Sequence, residues 1–203
     1  GLLNTGRVWA AQTQELGGFC DVSVADLTVA DTMQDLAVSV LQAAPSRFAL
    51  AGLSMGGYVA FEILRQAPDR VDRLALVDTT PRPDAPDQSA RRKDLVAMAR
   101  AQGMGAVLPQ LLPGFLSPTG AHNPELVEIV TQMATDVGVE AFARQQAAIL
   151  GRPDSRRDLA NIQCPTVVIV GAEDALTGGE IAQEMADGIP GAVLAEISDA
   201  ATS

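Results

Sequence analysis

Gly52-Leu53-Ser54-Met55-Gly56 is the stretch of this chain whose residue types and spacing could do chemistry. A serine between two glycines in the pattern G-x-S-x-G suits a sharp strand-to-helix turn, with the hydroxyl at its tip as a nucleophile. The pattern alone is weak. About 0.07 matches arise by chance in a chain of 203 residues with 18 glycines and nine serines, so its flanks must carry the weight. They do. Phe48-Ala49-Leu50-Ala51 reads as a strand, and a helix is expected from about Met55 to Gln66, halted by Pro68. Gly52 and Gly56 are expected to let neighbouring backbone pass close to the turn. The first N–H groups of a helix lack internal acceptors, so the Met55 N–H is a ready oxyanion donor. A phosphate- or dinucleotide-binding turn is the competing reading. The G-x-G-x-x-G spacing is absent, and so is a P-loop lysine, Lys93 being the one lysine of the chain.

The elements that must position this turn alternate. A helix is expected from about Thr5 to Leu16, stopped by Gly17-Gly18, then a short strand from Val22 to Leu27. Asp31 or Thr32 caps a helix running to about Ala44, ended by Pro45. Leu74 to Val77 is a further strand. From Pro81 to about Asn161 the texture changes. A proline-rich linker leads into helical segments at roughly Gln88 to Gln102, Pro124 to Asp136 and Val139 to Leu150. Strands then resume at Thr166 to Val170 and Ala192 to Ile197, around a helix from Glu180 to Asp187. Strands alternating with helices predict an α/β fold, a parallel sheet covered on both faces. The strandless stretch reads as a helical lid over 81–161, set into a core of 1–80 and 162–203.

Composition narrows the partners. Hydrophobic residues are 47% of the chain, which requires a packed core, and aromatics are only 3%, so aliphatic side chains must fill it. A net charge of −11 argues against nucleic acid and against an anionic membrane surface. No apolar run approaches a membrane span, and no secretory leader is visible at Gly1. Cys20 and Cys164 are expected to be buried free thiols, which fits a reducing, cytoplasmic compartment. With one histidine, His122, and no Cys/His cluster, no metal or other cofactor is implied. A small-molecule substrate is the expected partner, and the oligomeric state is left open.

Several stretches together resemble a known family, the lid-bearing α/β-hydrolases, which comprise small esterases, enol-lactonases and related acyl or carbon–carbon hydrolases. Besides the elbow, these are Gly1-Leu2-Leu3-Asn4 with Trp9, Pro68-Asp69-Arg70-Val71 leading to Asp78-Thr79, Cys164-Pro165-Thr166, and Gly171-Ala172-Glu173-Asp174. The resemblance implies an α/β-hydrolase fold with a helical lid insertion. It implies Ser54 as nucleophile and Asp174 as triad acid, with Asp78 as a weaker alternative acid. It places the N–H of Leu2 beside that of Met55 as the second oxyanion donor. It also calls for a histidine after the last strand, where this chain has Ala201-Thr202. His122 lies in the lid between Pro118 and Pro124, where a solvated loop residue is the plain reading. Gly1 falls just after an interior strand of the resembled sheet, so Val22–Leu27 and Phe48–Ala51 should re-pair or leave backbone groups unsatisfied.

Two functions follow as expectations. The first is a serine hydrolase of a small ester, lactone or related carbonyl compound, in a sequence cut at both ends and with activity near background in these 203 residues. The second is a non-catalytic binding or interaction protein on the same fold. The apolar lid residues Leu108, Leu111, Leu112, Phe115, Met133 and Phe142 suit a hydrophobic acyl or ring group, although lid core is their plainer role. Arg91-Arg92-Lys93 reads as a solvated helix face.

Overall fold

Three short apolar runs, Phe48–Leu53 (β1), Val71–Val77 (β2) and Thr166–Gly171 (β3), pair side by side with Val193–Ile197 (β4) in a four-stranded parallel sheet of order β1-β2-β3-β4. The computed structural model describes residues 1–174 and 177–198. Register is set by hydrophobic matching at the centre: Leu53 faces Val77, and Val77 faces Ile169. The carboxyl ends of β1, β2 and β3 therefore finish level, about 4.8 Å apart from strand to strand. Leu76 and Val168 sit fully buried in the middle of the sheet.

After a short helix, Ala10–Leu16 (α1), helices Met33–Ala43 (α2) and Met55–Gln66 (α3) pack on each other, and α3 lies against β1 and β2. The Thr32 hydroxyl accepts the Asp35 N–H at 3.1 Å and caps α2, a contact that stabilises a helix by about 1 kcal/mol. The far end of α2 carries no basic residue of its own. Arg70 supplies one, donating to the carbonyls of Leu41, Ala44, Pro45 and Ser46. Orphan helix carbonyls attract a cation in this way. Helix Gly179–Gly188 (α7) packs on β3 and β4.

Between β2 and β3 the chain forms Pro86–Gln102 (α4), Met104–Phe115 (α5) and Pro124–Leu150 (α6). Gly138, at φ 74°, divides α6 into the two helical runs read from sequence. Helix α5 lies outside the expected helical segments, and it holds Pro109 and Pro113, which disfavour a helix interior. Its burial of Met104, Val107 and Leu108 outweighs that local penalty.

The expected strand over Val22–Leu27 does not form. Val22 and Val24 are exposed, Asp26 turns the chain by accepting the Thr28 N–H at 2.8 Å, and β1 pairs with β2 alone. A strand is held by its neighbour, and none pairs with this segment among the described residues. Of the two alternatives for Val22–Leu27 and β1, the re-pairing does not occur among the described residues. Cys20 is exposed rather than buried, and Cys164 is half-buried; both are free thiols. Among the described residues no helix is long and apolar enough to cross a membrane.

The helical insertion is clamped where it leaves and rejoins the sheet. The Ser155 N–H donates to the Pro81 carbonyl at 2.8 Å. Arg152 donates to the Arg82 carbonyl at 3.0 Å and to Asp84 at 2.7 Å, and stacks 4.4 Å above the Tyr58 ring. Asp84 also accepts from Arg92 at 2.5 Å, and Arg92 reaches Gln146 at 3.0 Å. Arg92 is thus bound inward, not on a solvated face. Burial alone would push the Asp84 carboxyl up, but Arg92 and Arg152 together outweigh it and hold the group below its ordinary value.

Asp84→Ala strands two arginines, one of them buried, and is expected to cost about 3 kcal/mol in urea denaturation at neutral pH. Because the folded-state pKa is depressed, this stabilisation is present above the ordinary carboxylate value of about 4 and fades as pH falls below it. The stability gap between wild type and Asp84→Ala should therefore narrow on acidification through that range.

Candidate active site

Ser54 follows directly on β1 and precedes the first residue of α3. Its φ is 51°, ψ −114°, a strained conformation for a residue with a Cβ. Its peptide groups are bonded to the neighbouring strand's end. The Ser54 N–H donates to the Val77 carbonyl at 2.9 Å, and the Thr79 hydroxyl donates to the Ser54 carbonyl at 2.8 Å. The Ser54 side chain is half-buried and makes no hydrogen bond among the described residues.

The turn needs close approach at two glycines. A Cβ on Gly52 would lie 2.6 Å from the Gly56 carbonyl oxygen, and a Cβ on Gly57 would lie 2.6 Å from the Thr79 Cβ. A Cβ on Gly56 meets nothing within 4 Å. The role expected of Gly56 thus falls to Gly57, which sequence reasoning missed. The signal was there in the Gly56-Gly57 doublet.

The N–H groups expected as oxyanion donors, those of Met55 and Leu2, have no acceptor among the described residues. Met55 is fully buried at the start of α3, where the helix dipole adds positive character. Leu2 lies in the Gly1–Asn4 turn, closed by the Asn4 N–H on the Gly1 carbonyl at 3.4 Å. That turn lies close to the end of β1: a Cβ on Gly1 would lie 3.6 Å from the Leu53 carbonyl oxygen.

Two carboxyl groups meet beyond the ends of β2 and β3. Asp78, at φ 40°, accepts the Gly171 N–H at 2.8 Å and is hydrogen-bonded to Asp174. Asp174 also accepts the Thr177 N–H at 3.1 Å and the Thr177 hydroxyl. Both carboxyls are buried. Burial, and next to it the charge and hydrogen bond of Asp174, push the Asp78 carboxyl above its ordinary value against the pull of the Gly171 N–H.

His122 is exposed in a 3-10 turn, its Nδ1 2.7 Å from the Pro118 carbonyl oxygen. Ala201-Thr202, where the resemblance calls for a histidine, lie outside the described residues. A cavity of about 830 Å³ opens at the opposite, amino end of the strands, floored by Phe61, Leu64, Val71 and Ile162. Its arginines are already paired, Arg47 with Asp72 and Arg65 with Glu62 and Asp158. Parallel α/β sheets bind ligands at their carboxyl ends, so the Ser54 end is the candidate site.

Residues 4–201 match the alpha/beta hydrolase family. The chain belongs to that family. Two pimeloyl-(acyl-carrier protein) methyl ester esterases are among its relatives. That of Pectobacterium carotovorum subsp. carotovorum is 30% identical over 156 residues, 77% of this chain and 53% of that protein. That of Chromobacterium violaceum is 28% identical over 157 residues, 74% of this chain and 61% of that protein. The chain thus spans little more than half the length of these curated relatives. A solved thermophilic esterase from Thermogutta terrifontis superposes with a TM-score of 0.86 at 30% identity, over 99% of this chain and 79% of that one. The α/β-hydrolase fold expected from sequence is therefore the fold observed.

In this alpha/beta hydrolase chain the elbow geometry makes a direct prediction. Gly57→Ala drives a methyl group into buried Thr79 and is expected to destabilise by about 1–3 kcal/mol. Gly56→Ala, with open space and a helical backbone, should be neutral or stabilise by up to about 1 kcal/mol. Thermal melts of the two variants check the contrast.

Proposed function

We propose that this protein is a serine hydrolase of carboxylic-ester type, acting on a small-molecule ester, lactone or related carbonyl compound. Ser54 attacks the carbonyl carbon. The oxyanion that forms is met by the N–H groups of Met55 and Leu2, and buried Asp174 orients and offsets the charge of an imidazole base. The observation that carries this reading is Ser54 itself: a strained serine that directly precedes the Met55 N–H at the start of α3, a donor with no acceptor among the described residues. Positioned donors of this kind are worth about 100- to 1,000-fold in rate each. The relatives named as ester hydrolases favour the same chemistry.

Helices α4 to α6 act as the lid in this reading. Phe142, Met133 and Leu108 lie in its packed interior, while Leu111, Leu112 and Phe115 are half-buried and pack against the hydrophobic clusters. An acyl chain rather than a charged group suits so apolar a lid.

A serine hydroxyl is a poor nucleophile without a base. The 203 residues hold no histidine besides His122, which favours the second reading, a non-catalytic binding protein on the same fold. External imidazole separates the two. Turnover of p-nitrophenyl acetate and butyrate by this chain is expected to rise with imidazole concentration, and to fall to the solution rate in Ser54→Ala. Equal rates in wild type and Ser54→Ala at every imidazole concentration would sink the hydrolase reading.

A further inference from the structure

The two oxyanion donors proposed above lie on separate pieces of chain. Met55 is fixed by its helix, but the turn that carries Leu2 must be held from elsewhere. Leu3, its neighbour, has φ 59°, in the left-handed region that side chains rarely adopt, and is 1% exposed. A buried N–H in such a turn needs an acceptor. It finds one 142 residues away: the Leu3 N–H donates to Gln145 Oε1 at 3.0 Å. Gln145 stands on α6 and is fully buried. Its other end is used as well, Nε2 donating to the Leu27 carbonyl at 3.3 Å. One side-chain amide therefore joins the Leu2–Leu3 turn, the segment before α2 and the helical insertion.

Two adjacent N–H groups in this turn have different fates. That of Leu3 is taken by Gln145, while that of Leu2 has no acceptor among the described residues. Holding the Leu3 peptide fixes the turn's orientation and leaves the Leu2 N–H directed elsewhere. Gln146, next along the helix and equally buried, is bonded differently. Its Oε1 accepts from Arg92, and its Nε2 has no partner among the described residues. Gln145 alone of the pair spends both of its polar atoms on the chain around the turn.

We propose that Gln145 is a positioning residue for the oxyanion loop: through the Leu3 N–H it sets the aim of the Leu2 N–H, so that the seat of the helical insertion and the geometry of the oxyanion hole are one mechanical unit. The proposal rests on the hydrolase reading of Ser54. It predicts that Gln145 acts on the transition state, because an oxyanion forms only there.

The test uses Gln145→Leu, Gln145→Glu and, as a control for deleting a buried amide, Gln146→Leu. The readouts are imidazole-supported turnover of p-nitrophenyl butyrate and hydrogen exchange at the Leu2 and Leu3 amides. Gln145→Leu is expected to lower kcat about 10- to 100-fold with KM within about twofold, and to speed exchange at Leu3. Gln146→Leu should keep kcat within about threefold. In Gln145→Glu the buried carboxyl stays protonated at low pH and mimics the amide. On ionisation the carboxylate still accepts the Leu3 N–H but can no longer donate to the Leu27 carbonyl, so the tie across the turn is broken and its kcat relative to wild type at the same pH should begin near one and fall as pH rises.

Equal losses in Gln145→Leu and Gln146→Leu, a loss confined to KM, or unchanged Leu3 exchange would each overturn the proposal. If Gln145→Leu does not fold, the pH course of Gln145→Glu decides, and a flat ratio counts against it. If wild type shows no Ser54-dependent turnover, the hydrolase reading has failed. Exchange then judges the loop contact alone: faster Leu3 exchange in the Gln145 variants but not in Gln146→Leu supports it, and unchanged exchange overturns it.

Discussion

Ser54 keeps its strained backbone because both of its peptide groups are bonded to the end of the next strand. The Ser54 N–H meets the Val77 carbonyl, and the Thr79 hydroxyl meets the Ser54 carbonyl. A positive φ at a serine persists only where its surroundings over-determine it. Here the register of β1 on β2 does so, and the absence of a side chain at Gly57 lets Thr79 approach. The same strand end carries Asp78, which reaches across to β3 through the Gly171 N–H and Asp174. Elbow, Thr79, Asp78 and Asp174 form one chain of contacts across three level strand ends.

The helical insertion is tied to this frame through buried polar contacts rather than apolar packing alone. Asp84 binds Arg92 and Arg152, and Arg152 in turn lies over Tyr58, one turn along α3 from Ser54. Gln145 adds a second tie, from α6 to the turn at Leu3. Buried charges and amides are costly unless paired, so these contacts restrict the insertion to a narrow set of positions on this frame.

How much of this was readable from the residues depended on how local each determinant is. The elbow was legible because its parts lie within ten consecutive residues. Helix α3 was read to its observed ends, since Ser54 and Pro68 mark them. The alternation of strands and helices, and the family itself, were legible for the same reason. Val22–Leu27 misled because its apolar spacing is that of a strand, while strand formation depends on a partner that local sequence does not reveal. Helix α5 was hidden by its prolines, and Arg92 was misread because its partners Asp84 and Gln146 lie 8 and 54 residues away. Gln145 had no sequence signal at all: its meaning lies in a contact with Leu3.

The central claim is that this frame presents the Ser54 hydroxyl, alone among the serines, to an electrophile beside paired N–H donors. A fluorophosphonate reagent with imidazole present, followed by peptide mass spectrometry, tests it most directly. The account predicts covalent label on the peptide carrying Ser54 in the folded chain, slowed in Thr79→Val and lost in urea. Label spread over other serines, or no label on Ser54 in the folded chain, would contradict it.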